Sequence, residues 1–349
     1  MKPASAGFFP LDQQLEVWDG HWSEQVAKLA VWLSGLVEFE AGAEILERVG
    51  QIPMSTSSVW RRVAVWGARG QAVATAQRAE ATALPPRAEL VTGEARASAN
   101  QGVALDGAMV HIRAEGWKEL KVGCIFEIKV KSALDPQTGD RIDVAQAYRN
   151  SYVAHLGGPD VFGQAVWAEA RRRGWTRAGD TIALGDGAPW IWNLIKEHFF
   201  DSHQLVDWYH AAQQLWGVAH LLHGEGTLAA KQWFKDYETP LFEGHAERLA
   251  QWFGELARSH PAVADGLRGA AHYFQTNQRR MQYLETRENG FPIGSGMVES
   301  ACKQFGARFN GPGMRWSRPG IERLLPVRAA VMGHAFDNWW KATYKPPLN

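Results

Sequence analysis

Two aspartates in this chain follow directly on apolar runs and stand beside glycine: Leu105-Asp106-Gly107 and Gly185-Asp186-Gly187. An acid at the end of such a run projects where substrates approach α/β sheets, and the neighbouring glycine lets a backbone or a phosphate come close. Asp-Gly is also a common turn dipeptide, so either pair alone reads equally as a turn. A third acid, Glu299, lies in the stretch FPIGSGMVESACKQFGARFNGPGMRW, from Phe291 to Trp316, with Lys303, Arg308 and Arg315 behind it. With Gly296 as cap, Glu299 takes the third helical position, where a carboxylate satisfies an orphan N–H and the helix dipole favours it. The apolar stripe of that helix is Val298, Ala301, Cys302, Phe305 and Phe309. At about 100° per residue Glu299 and Lys303 fall on its edge, within reach of a crevice between helix and sheet. Three carboxylates from separate elements are what a two-magnesium phosphoryl-transfer site requires. Mg²⁺ is hard and oxygen-seeking, and two ions about 4 Å apart clamp the attacking and leaving oxygens of an in-line displacement.

Asp207 and His210 form a second candidate pair, either a strand-terminal acid and a helix-capping histidine or a device that orients metal ligands. His220 and His223 lie on adjacent helical turns, but no cysteine or further histidine at matching spacing completes a zinc site. The segment GPGMRWSRPG reads as a tight loop whose Arg315 and Arg318 are placed for phosphate contacts.

These residues need elements to hold them. The 349 residues, 46% hydrophobic, suffice for two or three packed units. Residues 1–100 read as helical. SEQVAKLAVWLSGLVEF opens on Ser23 and repeats apolar residues at helical spacing, AGAEILERVG is a short helix closed by Gly50, and a third helix begins at STSSVWRRVAVWGARG. A short turn joining the last two, with Arg61 and Arg62 near the start of the second, has the outline of a helix-turn-helix. From Gln71 to Asn100 the composition reads as a linker or irregular helix. Residues 101–210 alternate in period: GVALDGAMVHIR and KELKVGCIFEIKV as an antiparallel pair, SYVAHLG as a third strand, then GQAVWAEARRRG, DTIALGDG, WIWNLIKEHFF and SHQLVDWYH as helix, strand, helix and strand. That order describes a mixed α/β sheet. Residues 211–290 lose the strand signal and become Trp-rich amphipathic helices, and residues 291–349 carry Glu299 and a basic end.

Net charge is zero, but from Ser300 onward eight lysines and arginines face two acids, an excess of six. Such a cluster steers a polyanion even from a neutral molecule, and it is equally the composition of a solvated basic tail. The two cysteines, Cys124 and Cys302, give neither a disulfide framework nor paired zinc-ligand spacing. No signal peptide and no run of eighteen apolar residues is present, which makes the cytoplasm the expected compartment and leaves no membrane partner. Most of the 17 tryptophans belong to apolar helical stripes, leaving one or two in the helical segment to stack on unpaired bases.

The blocks LDGAMV, GWKELKVG, LGDGAPWIWNL, VDWYHAAQQLW, YFQTNQRRMQY, IGSGMVESACK and GPGMRWS, in this order, resemble the DDE transposases of bacterial insertion sequences, specifically the Kra-four group. The likeness runs from about Gly102 to Trp340. It implies an RNase H-like catalytic core carrying Asp106 and Asp186, an all-α insertion, and Glu299 as the last member of the triad. The separations of 80 and 113 residues suit that plan. Asp207 and His210 match a D-x-x-H element near the active site of Mutator-like relatives. The chain departs from the pattern at Leu105 and Ala108. The resemblance further implies Mg²⁺ or Mn²⁺ as a pair of ions, DNA as partner (terminal inverted repeats and target), and a homodimer or higher multimer on paired ends. Lys303, Arg308, Arg315 and Arg318 would then hold phosphates, with Arg61 and Arg62 helping to find the repeats. A domesticated DNA-binding relative that no longer cuts is the competing expectation, and a metal-free carboxylate glycosidase is permitted by residue types alone.

Overall fold

The computed structural model describes residue 17 and residues 22–83, 99–134 and 139–344. Three helices come first: α1 (Glu24–Leu36), α2 (Phe39–Arg48) and α3 (Thr56–Ala83). Of the stretch from Gln71 to Asn100, read as a linker or irregular helix, residues 71–83 are helical and residues 84–98 lie outside the described residues. The run from Gln71 to Ala83 is rich in Ala, Gln, Arg and Glu, all good helix formers, and α3 continues through it.

The sheet has five strands: β1 (Gln101–Ile112), β2 (Gly116–Leu134), β3 (Arg141–His155), β4 (Thr181–Gly185) and β5 (His203–Val206). Their order is β3-β2-β1-β4-β5. β1 pairs antiparallel with β2, and β2 with β3, whereas β4 is parallel to both β1 and β5. Helices cover both faces of its centre. β4 and the first five residues of β1 are buried throughout, which is why they read as unbroken apolar runs. One face carries α4 (Pro159–Arg172), whose Phe162 and Val166 lie against Gly123 on β2. α5 (Pro189–His198) follows β4.

β2 and β3 run longer than their apolar cores. Beyond a bulge at Ile125 and Glu127, they continue as a two-stranded ribbon pairing Lys129 with Gln146 and Leu134 with Arg141. Its residues are largely exposed, so no alternation of polar and apolar side chains announces it in the sequence.

After β5 the described chain is helical up to the glutamate-bearing segment: α6 (Trp208–His223), α7 (Leu228–Phe242), α8 (Ala246–Ser259), α9 (Ala264–Asn277) and α10 (Tyr283–Glu288). Then α11 (Gly296–Phe309) lies over β1, and α12 (Arg318–Met332) and α13 (Phe336–Thr343) complete the chain.

The N-terminal helices share the core of the sheet. Ala27, Val31, Val63 and Trp66 belong to one continuous apolar cluster with β1, β4 and α12. A Cβ on Gly67 would stand 2.3 Å from the Arg323 carbonyl oxygen, so α3 and α12 cross backbone to backbone. A smaller cluster of Ala30, Leu33, Ala43, Leu46, Met54 and Val59 holds α2 in place. Among the described residues no helix is long and apolar enough to cross a membrane.

Candidate active site

The site begins with strand register. Ala104 on β1 stands opposite Leu184 on β4, and Gly185 on β4 opposite Val206 on β5. Continuing those parallel registers past the last paired residues brings Asp106, Asp186 and Asp207 into one row across three neighbouring strands. Asp207 N–H donates to the Gly185 carbonyl at 2.8 Å, closing the row at its β5 end. The row lies just past the carboxyl ends of β4 and β5, where α/β sheets bind ligands, while β1 runs on beyond Asp106 to Ile112.

Three helix N-termini meet there. Asp186 is followed by Gly187, at φ +103°, and by α5 with Pro189 in its first turn. The Asp186 Oδ1 accepts the Ala188 N–H at 2.8 Å. Asp207 is the N-cap of α6: its Oδ1 accepts the His210 N–H at 3.0 Å, and its Oδ2 accepts the Ser295 N–H at the mouth of α11. Trp208 N–H donates to the Ile293 carbonyl at 3.0 Å alongside. The positive ends of these helices offset part of the charge that the acids concentrate.

Glu299 arrives on α11. Ser295, not Gly296, precedes the first helical residue, so Glu299 sits one position deeper than the third-position reading. Its N–H already closes a helical bond to Ser295 O at 3.2 Å, and its Oε1 is 3.5 Å from Ser295 Oγ. An open crevice of about 230 Å³ is lined by Asp106, Tyr209, His210, Gln213, Glu299, Cys302 and Lys303. Within it the Cys302 thiol lies beside the Asp106 carboxylate.

Burial pushes the Asp106 carboxyl above its usual range, and the charge of Asp186 adds to that. The Gly107 N–H (2.7 Å to Oδ1), the Cys302 thiol and His210 act the other way without cancelling it. Burial likewise raises the Cys302 thiol, with the charges of Asp106 and Glu299 in the same direction. None of the ion pairs among the described residues neutralises Asp106, Asp186, Asp207 or Glu299.

Of the three acids singled out in the sequence, Asp106 and Glu299 face each other across the crevice, while Asp186 stands beside Asp106 in the strand row and does not line the crevice. The tightest set of potential ligand atoms is a different one: Asp207, His210 and Glu299, all within 4.8 Å of one another. The crevice also brings in Tyr209, Gln213 and Cys302. Cys302 is three residues after Glu299 on one helix face, a spacing that was readable; Tyr209, 65% exposed at the mouth, carried no periodic signal.

The cations divide. Lys303 lines the crevice, and Arg315 and Arg61 are exposed, with Arg62 half-buried on α3. Arg308, expected on a DNA backbone, is only 4% exposed. Its Nε donates to the Ser34 carbonyl at 2.9 Å, and its guanidinium lies 5.2 and 5.3 Å from the Phe39 and Trp316 ring centres. Burial, with Arg328 nearby, pushes its pKa down to about 10. Arg308 therefore ties α1 and α2 to the core and offers no surface to a phosphate. Arg318 is also engaged internally, gripping both carboxylate oxygens of Glu115 at 2.9 and 2.6 Å and donating to the Leu156 carbonyl at 3.1 Å. Lys345, part of the basic excess read from the sequence, lies outside the described residues.

No protein-family model matches the chain. No curated protein matches it either.

Proposed function

We propose that this chain is a metal-dependent DNA strand-transfer enzyme of the DDE transposase type, with Asp106, Asp186 and Glu299 as its catalytic acids. The observation that supports the reading is that Asp106 and Glu299 line one crevice, with Asp186 beside Asp106 in the strand row. Asp106 within β1 and Asp186 just past β4 stand side by side in the strand row, and Glu299 returns from 113 residues further along to line the same crevice as Asp106. The strand order β3-β2-β1-β4-β5, with only β2 reversed, supports an RNase H-like reading of the sheet. The helices between β5 and α11 then correspond to the all-α insertion.

The residues fit divalent ions. The carboxylates are hard oxygen donors, and the raised Asp106 carboxyl marks negative charge that no side-chain cation neutralises. Asp106, Asp186 and Glu299 would hold Mg²⁺ or Mn²⁺, with His210 as a nitrogen donor better suited to Mn²⁺. Bound there, such ions polarise a phosphodiester and supply a water nucleophile near neutral pH. The reaction proposed is hydrolysis of the phosphodiester at an element's end, freeing a 3′-hydroxyl, followed by attack of that hydroxyl on a target phosphodiester with release of a new 3′-hydroxyl. Lys303 on the rim and exposed Arg315 would hold DNA phosphates, and Arg61 on α3 would assist. Asp207, through its two backbone bonds, keeps His210 and the Glu299 helix in register.

The test uses the full chain and labelled duplexes bearing the inverted repeats that flank its gene. Nicking at the repeat end in Mg²⁺ or Mn²⁺, abolished by Asp106→Asn, Asp186→Asn and Glu299→Gln, is the expected result. Specific binding with no cleavage in either metal would identify the non-cutting relative. Cleavage that survives all three substitutions would reject the assignment.

A further inference from the structure

We propose that Tyr273, carried on α9 far from the sheet in sequence, is a positioning residue that fixes the turn bearing Asp186. The inference rests on the reading of Asp186 as a metal-holding acid. The Tyr273 hydroxyl donates to the Asp186 backbone carbonyl at 2.8 Å, a bond spanning 87 residues. The ring occupies the space that a side chain at position 187 would need: a Cβ there would lie 2.8 Å from Tyr273 Cε2 and 3.0 Å from its hydroxyl oxygen. Gly187 meanwhile holds φ at +103°, a conformation that only glycine adopts without strain.

Such a turn has little stiffness of its own. One restraint comes from within, the Asp186 Oδ1 capping the Ala188 N–H. The other comes from α9, and α9 is itself clamped. Phe274, next to Tyr273, is fully buried, and Arg280 just past the helix donates to Gln204 Oε1 on β5 at 3.0 Å while lying 4.4 Å over the Trp192 ring of α5. The helical insertion thus reaches back across two elements of the sheet layer and holds the carbonyl of a catalytic acid. A displacement of α9, of the kind DNA engaging the insertion would cause, is transmitted to Asp186 through this one hydroxyl.

Tyr273→Phe keeps the ring and removes the bond. Two measurements on the full chain without DNA decide the matter. Hydrogen exchange at the Ala188 amide, held by the Asp186 Oδ1, should rise roughly fivefold, the equivalent of one ordinary hydrogen bond, with exchange in β1 and α12 unchanged. The Mn²⁺ concentration for half-saturation, followed by electron paramagnetic resonance, should rise by a similar factor, toward the value of Asp186→Asn. Gly187→Ala, which presses a methyl against the same ring, should shift the Mn²⁺ titration in the same direction. Unchanged exchange in Tyr273→Phe overturns the proposal. So does faster exchange spread evenly over the protein, which would mark a merely structural residue. If the wild type takes up no Mn²⁺, the metal reading fails, and the exchange measurement still decides what Tyr273 does.

Discussion

Asp207→Asn replaces a carboxylate by an amide of nearly the same shape, and the structure makes that small change a severe one. Asp207 is 0% exposed, and its two oxygens accept from two different backbone donors, His210 N–H and Ser295 N–H. An asparagine has one oxygen. Whichever way its amide turns, an NH₂ group faces one of these N–H groups, leaving two donors opposed in a dry site. The loss comprises one charge-assisted bond, about 1.5–3 kcal/mol, and a buried donor left without an acceptor, about 1–3 kcal/mol. Allowing for partial relaxation, destabilisation of about 2–5 kcal/mol is expected. Asp207→Ala removes both bonds and the helix cap, itself worth about 1 kcal/mol, but brings no opposing donor, so the asparagine variant should be no better than the alanine one. Urea unfolding followed by tryptophan fluorescence at pH 7 measures this as a shift of midpoint at unchanged slope. An asparagine variant within 0.5 kcal/mol of the wild type would refute the assignment of both bonds.

Asp106→Asn should act with the opposite sign. Its folded carboxyl lies above the ordinary 3.8 because of burial and Asp186, so the native state binds the proton more tightly than the unfolded chain and loses stability as pH rises through that interval. Thermal melts should show the variant more stable than the wild type near pH 7, with the gain fading as pH falls toward the unfolded value of 3.8 and absent below it. Saturating Mg²⁺ at about 100 times its dissociation constant should then stabilise the wild type by about 2.7 kcal/mol and the variant far less. Arg308→Met removes the buried bond to the Ser34 carbonyl and should destabilise by about 1–3 kcal/mol, while leaving the salt dependence of DNA binding untouched if DNA is bound as proposed. Arg315→Ala should lower the salt slope by about one if DNA is bound as proposed, as a titration over ionic strength would show. Gly67→Ala drives a methyl into the Arg323 carbonyl 2.3 Å away and should destabilise by about 1–3 kcal/mol or more. In α8, Gly254→Ala meets nothing within 4 Å and should stabilise by about 0.5–1 kcal/mol, a control of opposite sign.

What the sequence made legible follows from how local each signal is. Asp106 and Asp186 stood out because each ends an apolar run beside glycine, a pattern of three residues. The face of α11 was readable from its period, and the same period places Arg308 on it, seven residues after Ala301 and three after Phe305. Its charge drew the residue toward DNA in the reading, whereas the helix geometry buries it. Arg318 could not have been assigned in this way, since its partner Glu115 is 203 residues away and only the fold brings them together. The same holds for the Asp207 bond to Ser295, 88 residues apart, and for the polar ribbon beyond Glu127, whose pairing carries no apolar signature.

The acids of this site therefore need to be ranked by what their oxygens are doing, not by how closely they cluster. Asp207, His210 and Glu299 form the tightest set, yet both oxygens of Asp207 already hold backbone amides that join α6 to α11. Bringing a cation onto them competes with bonds that build the site. Asp106 is the reverse case: the adjacent Gly107 amide, the Cys302 thiol and His210 offset only part of the cost of burying its charge. A group whose ionised form is disfavoured by burial, in an open crevice, is a candidate for binding a cation, as proposed above. The opposite effects expected on stability, loss at Asp207 and gain at Asp106, separate an acid that assembles the crevice from one whose charge the fold itself does not need.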